Sequence, residues 1–163
     1  MDKIFPSDGN DAGSTPALST NIMRLFMEII MNKDNLKDED VTDFSLKVRG
    51  IIEKDGSFLV GRYDDVYLLP GGKVEQGEDE ARAIEREIEE EFELKIKANK
   101  FLINNVCSYP NKIVDLRLYD CEYISGDFKL HDHSEYKWVS KDELLSYDLA
   151  PADIPLAEYV ISL

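Results

Sequence analysis

The stretch "GGKVEQGEDEARAIEREIEEEFEL", residues 71–94, holds ten carboxylates in twenty-four residues, and Glu89, Glu90, Glu91 and Glu93 crowd the point where a helix should end. A helix C-terminus already carries partial negative charge, so acids in its last turn oppose it by about 0.3–1 kcal/mol each. Such a helix needs cations beside it or support from another segment.

At 100° per residue, Glu87, Glu90 and Glu91 lie at relative angles of about 0°, 300° and 40°, within one sector. Ala81, Ile84, Ile88 and Phe92 cover the neighbouring sector, which places the three carboxylates at the margin of the buried face. Like charges held there raise one another's pKa or attract a cation, and hard oxygen donors suit Mg²⁺, with Mn²⁺ as the alternative. A solvated acidic face is the other explanation of such a charge run. The loop before the helix favours the metal: "LPGGKVEQGE", residues 69–78, contains Gly71, Gly72 and Gly77, and glycine lets backbone approach a ligand closely. Feeding a helix N-terminus, that loop could cradle phosphate, with Lys73 as a candidate contact.

The whole chain has 163 residues, 43% of them hydrophobic, which is enough for one well-filled core. Its 34 acids against 19 bases give a net charge of −15, which argues against nucleic acid polymers and anionic membranes as partners. Small phosphate ligands that arrive with a divalent cation remain compatible. Cys107 and Cys121 lie in apolar runs without metal spacing and do not suggest a disulfide framework, so a cytoplasmic setting is expected. The longest apolar run, "NIMRLFMEIIM" at 21–31, is interrupted by Arg24 and Glu28, is too short to cross a bilayer, and has the spacing of an amphipathic helix. The Gly-, Ser- and Pro-containing start before it is expected to be disordered. Residues 1–42 therefore read as an extension and 43–163 as one domain, in a monomer or a homodimer.

"FSLKVRGII" from Phe44 alternates like a half-buried strand, with Ser45, Lys47 and Arg49 on the polar side. "KDG" at 54–56 supplies a tight hairpin turn to "SFLVGRY". "VYLL" is a further short strand, stopped by Pro70, Gly71 and Gly72, and a helix follows over about 77–92. "LKIK", "KFLINNVCSY", "KIVDLRLYDCEYI" and "EYKWVS" read as four more strands. Ser140 with Glu143 forms a capping box for a short helix, and Asp153 is placed to cap a terminal one, with Pro155 in its first turn. The expected fold class is α/β, with a mixed sheet between helices in an α/β/α sandwich.

From Gly72 the residues resemble the Nudix box, GX5EX7REUXEEXGU with U a bulky aliphatic residue: Gly72, Glu78, Arg86, Glu87, Ile88, Glu90, Glu91 and Leu94 match in register. Glu93 departs, standing where the family has glycine. The resemblance implies a Nudix-type sandwich and a hydrolase of nucleoside diphosphate derivatives. It implies Glu87, Glu90 and Glu91 as metal ligands, with the carbonyl of Gly71 or Gly72 in addition, and Glu87 or a neighbour helping to activate water. Glu78 and Arg86 match the supporting pair that orients loop and helix. At Glu93, a residue with a side chain costs about 1 kcal/mol in the left-handed conformation that glycine adopts freely.

The tail, "HDHSEYKWVSKDELLSYDLAPADIPLAEY", resembles the branch of that family that hydrolyses nucleoside triphosphates, the 8-oxo-dGTP and CTP pyrophosphohydrolases. There the position of Asp153 reads the base, and a carboxylate would accept from an exocyclic amine. Helix capping is the competing role for Asp153. Leu69 is at a position that offers the base an apolar wall, with Tyr67 as the other candidate, and Arg62 could reach a phosphate or be a surface residue. The expected activity is Mg²⁺-dependent conversion of a nucleoside triphosphate to monophosphate and pyrophosphate. Hydrolysis of another derivative such as ADP-ribose, and a catalytically silent nucleotide-binding domain, are the alternatives.

Overall fold

The computed structural model describes residues 43–131 and 134–163. The helix expected at 21–31 and the disorder expected before it lie outside the described residues.

Among the described residues seven strands run β1 (Asp43–Lys54), β2 (Ser57–Tyr63), β3 (Val66–Leu68), β4 (Gly71–Lys73), β5 (Lys95–Tyr109), β6 (Lys112–Ser125) and β7 (Glu135–Ser140). Helix α1 (Glu80–Phe92) enters between β4 and β5; a 3₁₀ helix (Lys141–Ser146) and helix α2 (Ile154–Ser162) close the chain. The Asp55-Gly56 turn has φ of 52° and 77°, as a hairpin matched to strand twist requires. Glu143 accepts from the Ser140 hydroxyl at 2.9 Å and its N–H at 3.4 Å, which is the expected box.

The sheet is mixed. β1 pairs with β6 in parallel from Asp43↔Lys112 to Glu53↔Glu122, and antiparallel with β4 on its other edge before it meets β2 at the hairpin. β4 was unexpected: the glycines read as a strand stop continue as three paired residues. "LKIK" and "KFLINNVCSY" are one strand, β5, with register shifts near Ala98 and Phe101. Such an irregularity leaves backbone groups without a strand partner, and the Glu85 carboxylate of α1 takes the Ala98 N–H at 3.0 Å.

Each sheet face carries a core. Val48, Ile52 and Leu59 pack with Ile84, Ile88 and Phe92 of α1, while Ile51, Val60, Leu116 and Leu118 pack with Leu156 and Val160 of α2. Burial on both sides corrects the expectation for β1: Ser45 and Arg49, assigned to a polar face, are 2% and 7% exposed.

A buried polar cluster fastens the start of α1 to the sheet. Glu80 accepts from Arg117 Nη1 at 2.9 Å and from the Tyr119 hydroxyl at 2.6 Å, and Arg117 Nε reaches Asp115 at 2.9 Å. Removing one partner of a buried pair leaves a charge that nothing offsets, at about 3–5 kcal/mol. Glu80→Ala is therefore expected to lose at least about 3 kcal/mol in urea denaturation, whereas Glu89→Ala on the exposed side of the same helix stays within about 0.5 kcal/mol of the parent.

Candidate active site

Helix α1 starts at an N-cap, Asp79, whose carboxylate accepts from the N–H groups of Ala81 and Arg82 at 3.0 and 3.3 Å. Its other end answers the question of the crowded acids. Glu93 adopts the left-handed conformation (φ 55°) and donates its N–H to the Glu89 carbonyl. The N–H groups of Lys129 and His131 reach the carbonyls of Phe92 and Glu91 at 3.1 and 3.3 Å. The Glu93 carboxylate meets Lys129 Nζ at 3.0 Å and His131 Nε2 at 3.1 Å, and these partners hold its pKa below the usual carboxylate range. The segment after β6 thus supplies backbone donors and the Lys129 ammonium to the negative end of the helix.

Along the helix, Arg86 is the hub. Its Nε and Nη2 grip the two oxygens of Glu78 at 2.7 and 3.0 Å, Nη1 lies 3.1 Å from both Glu87 and Glu90, and Nη2 also donates to the Lys73 carbonyl at 3.1 Å. A two-point fork of this kind fixes direction as well as distance. Arg86 holds the Glu78 carboxyl below its ordinary pKa, while burial pushes that of Glu87 up against the opposing pull of Arg86.

The loop fits this cluster closely. A Cβ on Gly72 would fall 2.2 Å from the Glu87 carboxyl, and one on Gly71 (φ 153°) would fall 2.0 Å from the Val48 carbonyl. Gly71 is demanded by space, because its Cβ would meet backbone, whereas at Gly72 the neighbour is the far end of the Glu87 side chain. A hollow of about 920 Å³ opens beside Glu78, bounded by Phe44, Leu46 and the loop from Lys73 to Gly77.

The structure therefore brings Gly71, Gly72, Lys73, Glu78, Arg86, Glu87 and Glu90 together; Glu91 lies on the same helix, half-buried. Among the described residues no group of three or more acidic, His or Cys side chains stands in metal-binding geometry. Glu87 and Glu90 are drawn toward one Arg86 nitrogen, and Glu90, its side chain 61% exposed, has room to rotate. The donor set is all oxygen, which fits a hard divalent cation.

The other candidates fare differently. Leu69 is fully buried in the core on the α2 side, so it forms no wall for a ligand, and its contribution is an N–H donated to Asp153 at 3.1 Å. Tyr67, half-buried, gives its hydroxyl to Glu135 and packs edge-on to Tyr147. Arg62 pairs with Glu135 at 3.5 Å and lies over the Tyr67 ring, with its side chain 41% exposed, which matches the surface role. The Asp153 carboxylate does not cap α2. It is buried and bound to Arg49 Nε at 2.9 Å, because a buried carboxylate gains more from a guanidinium than from a helix N–H. Arg49, Lys129 and His131 were not singled out in the sequence; only the strand alternation and the unmatched acid at 93 hinted at them.

A NUDIX domain model matches residues 46–160. CTP pyrophosphohydrolase of Escherichia coli (strain K12) is 31% identical over 122 residues, 71% of this chain and 90% of that protein. Putative 8-oxo-dGTP diphosphatase 2 of Mycobacterium tuberculosis is 36% identical over 97 residues, 58% of this chain and 65% of that protein. Among solved structures, that of the E. coli ORF135 protein superposes with a TM-score of 0.70 at 29% identity, covering 75% of this chain and 91% of its own.

Two substitutions test the local geometry. Gly71→Ala drives a Cβ into the Val48 carbonyl and is expected to cost about 1–3 kcal/mol in denaturant unfolding, as overpacking does. Glu93→Gly removes the backbone cost together with the contacts to Lys129 and His131; since salt weakens exposed pairs, its melting temperature should rise relative to the parent's between low salt and about 1 M.

Proposed function

Because the chain belongs to the Nudix family and is a Nudix hydrolase, we propose that it converts a nucleoside triphosphate to the monophosphate and pyrophosphate in a reaction that needs Mg²⁺, with Mn²⁺ as a substitute. On this reading residues 43–163 are the hydrolase domain and residues 1–42 an extension to it. The protein acts in the cytoplasm as a monomer or a homodimer, in keeping with two free thiols.

The observation that carries the proposal is the Arg86 hub, which gathers Glu78, Glu87 and Glu90 against the Gly72 backbone in the register of the family motif. Glu87, Glu90, Glu91 and the Gly72 carbonyl would hold the cation. When bound, it would neutralise phosphate charge and help deprotonate a water near neutral pH. The chain's own residues do the rest. Arg86 keeps Glu78 and the Lys73 carbonyl in place, so the loop stays closed on the helix. Lys73, exposed beside the hollow, contacts phosphate, and Glu87 or a neighbour accepts a proton from the attacking water. That water displaces at an inner phosphorus, and the bond between the α and β phosphates breaks.

Support for triphosphates over other derivatives comes from the names of the relatives, a CTP pyrophosphohydrolase and a putative 8-oxo-dGTP diphosphatase. The test is pyrophosphate release from canonical and oxidised nucleoside triphosphates, with ADP-ribose as a control. Turnover is expected with Mg²⁺, is abolished by EDTA, and falls on the order of a hundredfold in Glu90→Gln. Turnover of ADP-ribose alone, or nucleotide binding without hydrolysis, would reject the proposal.

A further inference from the structure

The sheet ends at β5. Its strand order is β3-β2-β1-β6-β5, and among the described residues β6 is the one strand that pairs with β5. An edge strand offers a row of backbone N–H and C=O groups to whatever chain comes beside it, and folded proteins blunt such edges with lysines and bulges. The two parts of β5 differ in this respect. Over 95–100 the strand carries Lys95, Lys97 and Lys100 and shifts register between Lys95 and Ile96 and again between Ala98 and Lys100. A third shift falls between Phe101 and Ile103, and beyond it the pairing runs unbroken from Ile103↔Leu118 to Tyr109↔Lys112.

This second part lacks every such device. No charged residue occurs over 101–111, in a chain of which 33% is charged, and β5 holds no proline or glycine there. Val106 and Tyr109 are exposed side chains on it. An uncharged, regular edge that contains Phe, Ile, Val and Tyr is the kind that another strand extends. Tyr109 and Lys112 flank a two-residue turn, Pro110-Asn111, and so exchange hydrogen bonds with each other. Alternation from that pair turns the N–H and C=O of Asn104, Val106 and Ser108 away from β6.

We propose that the open edge of β5, residues 103–109, pairs antiparallel with the same edge of a second copy of this chain, which joins two sheets across a twofold axis. The segment is complementary to itself. With the axis at Val106, outward-turned residues meet outward-turned residues: Val106 lies opposite its own counterpart and Asn104 opposite Ser108. Between them Ile103 of one copy faces Tyr109 of the other, an aliphatic–aromatic pair of the stabilising kind. Charge selects the same place. Two copies with a net charge of −15 each repel, and approach is opposed least where neither bears a charge. A single strand pair is a small interface, so the dimer forms and dissociates with concentration. The pairing does not depend on the catalytic reading.

The experiment combines sedimentation equilibrium of the full chain across a dilution series with amide hydrogen exchange at Asn104, Val106 and Ser108. It is run on the parent, on Val106→Lys and Ser108→Lys, and on Ile124→Lys as a control for an exposed apolar residue of the neighbouring strand. The expected mass approaches twice 18.7 kDa at high concentration, with the three amides protected there and exposed on dilution. Val106→Lys sets two ammonium groups face to face and should raise the dissociation constant about tenfold, Ser108→Lys by less, and Ile124→Lys not at all. Thermal melts check folding; should Val106→Lys not fold, Ser108→Lys is read in its place. A dimer that the β5 substitutions leave unchanged is formed by another surface and overturns the proposal. A chain that stays monomeric at every concentration overturns it too, and the amides then say why: rapid exchange means a bare edge, and protection means that another segment of the same chain covers it.

Discussion

The Arg86 guanidinium is the contact on which the site's architecture depends. Without it, Glu78, Glu87 and Glu90 would be three carboxylates at the edge of a core with no common cation, and the loop after β4 would have no tie to the helix. Exposed ion pairs taken singly contribute little. This one is a network in which a rigid fork meets three carboxylates and a carbonyl, with the Arg86 side chain 25% exposed. The second anchor of α1 is the Glu80 cluster at its first turn, which holds the helix down on β6. Between them the helix has little freedom to slide or rotate.

Much of this could be read along the chain, for local reasons. The helix announces itself through Ile84, Ile88 and Phe92 at helical spacing, the hairpin through Asp55-Gly56, and the grouping of Glu78, Arg86, Glu87 and Glu90 through fixed offsets on one helix. What stayed hidden depends on partners distant in the chain. That β1 is buried on both faces follows from its place between β6 and β4 and from α2 closing over it, so Arg49, placed among polar residues by alternation, ended inside. Leu69 failed as a wall because a neighbouring proline and a short strand turn it into the core, an orientation that spacing does not determine. Asp153 has the right position for a helix cap and the right chemistry for an ion pair, and only the arrival of Arg49 from 104 residues away decided between them.

The end of α1 shows how a departure from a motif can be absorbed. A left-handed residue with a side chain is strained, yet Glu93 keeps the backbone path that glycine would take. Its carboxylate then collects Lys129 and His131, whose own N–H groups occupy carbonyls of the same helix. The substitution has turned a plain stop into a tie between the helix and the segment following β6.

The parallel pairing of β1 with β6 bears on how the molecule is made. The central strand of the sheet acquires its longest neighbour only after some sixty residues have intervened, and its register runs unbroken from Asp43↔Lys112 to Glu53↔Glu122. Pairings of such sequence separation close late and slowly. During synthesis from the N-terminus, β1, the hairpin and the whole acidic helix emerge from the ribosome before the strand that organises them exists. The nascent chain must therefore carry an unmatched apolar edge for the time needed to translate β5 and β6, and its protection in that interval falls to its high negative charge, which keeps neighbouring chains apart.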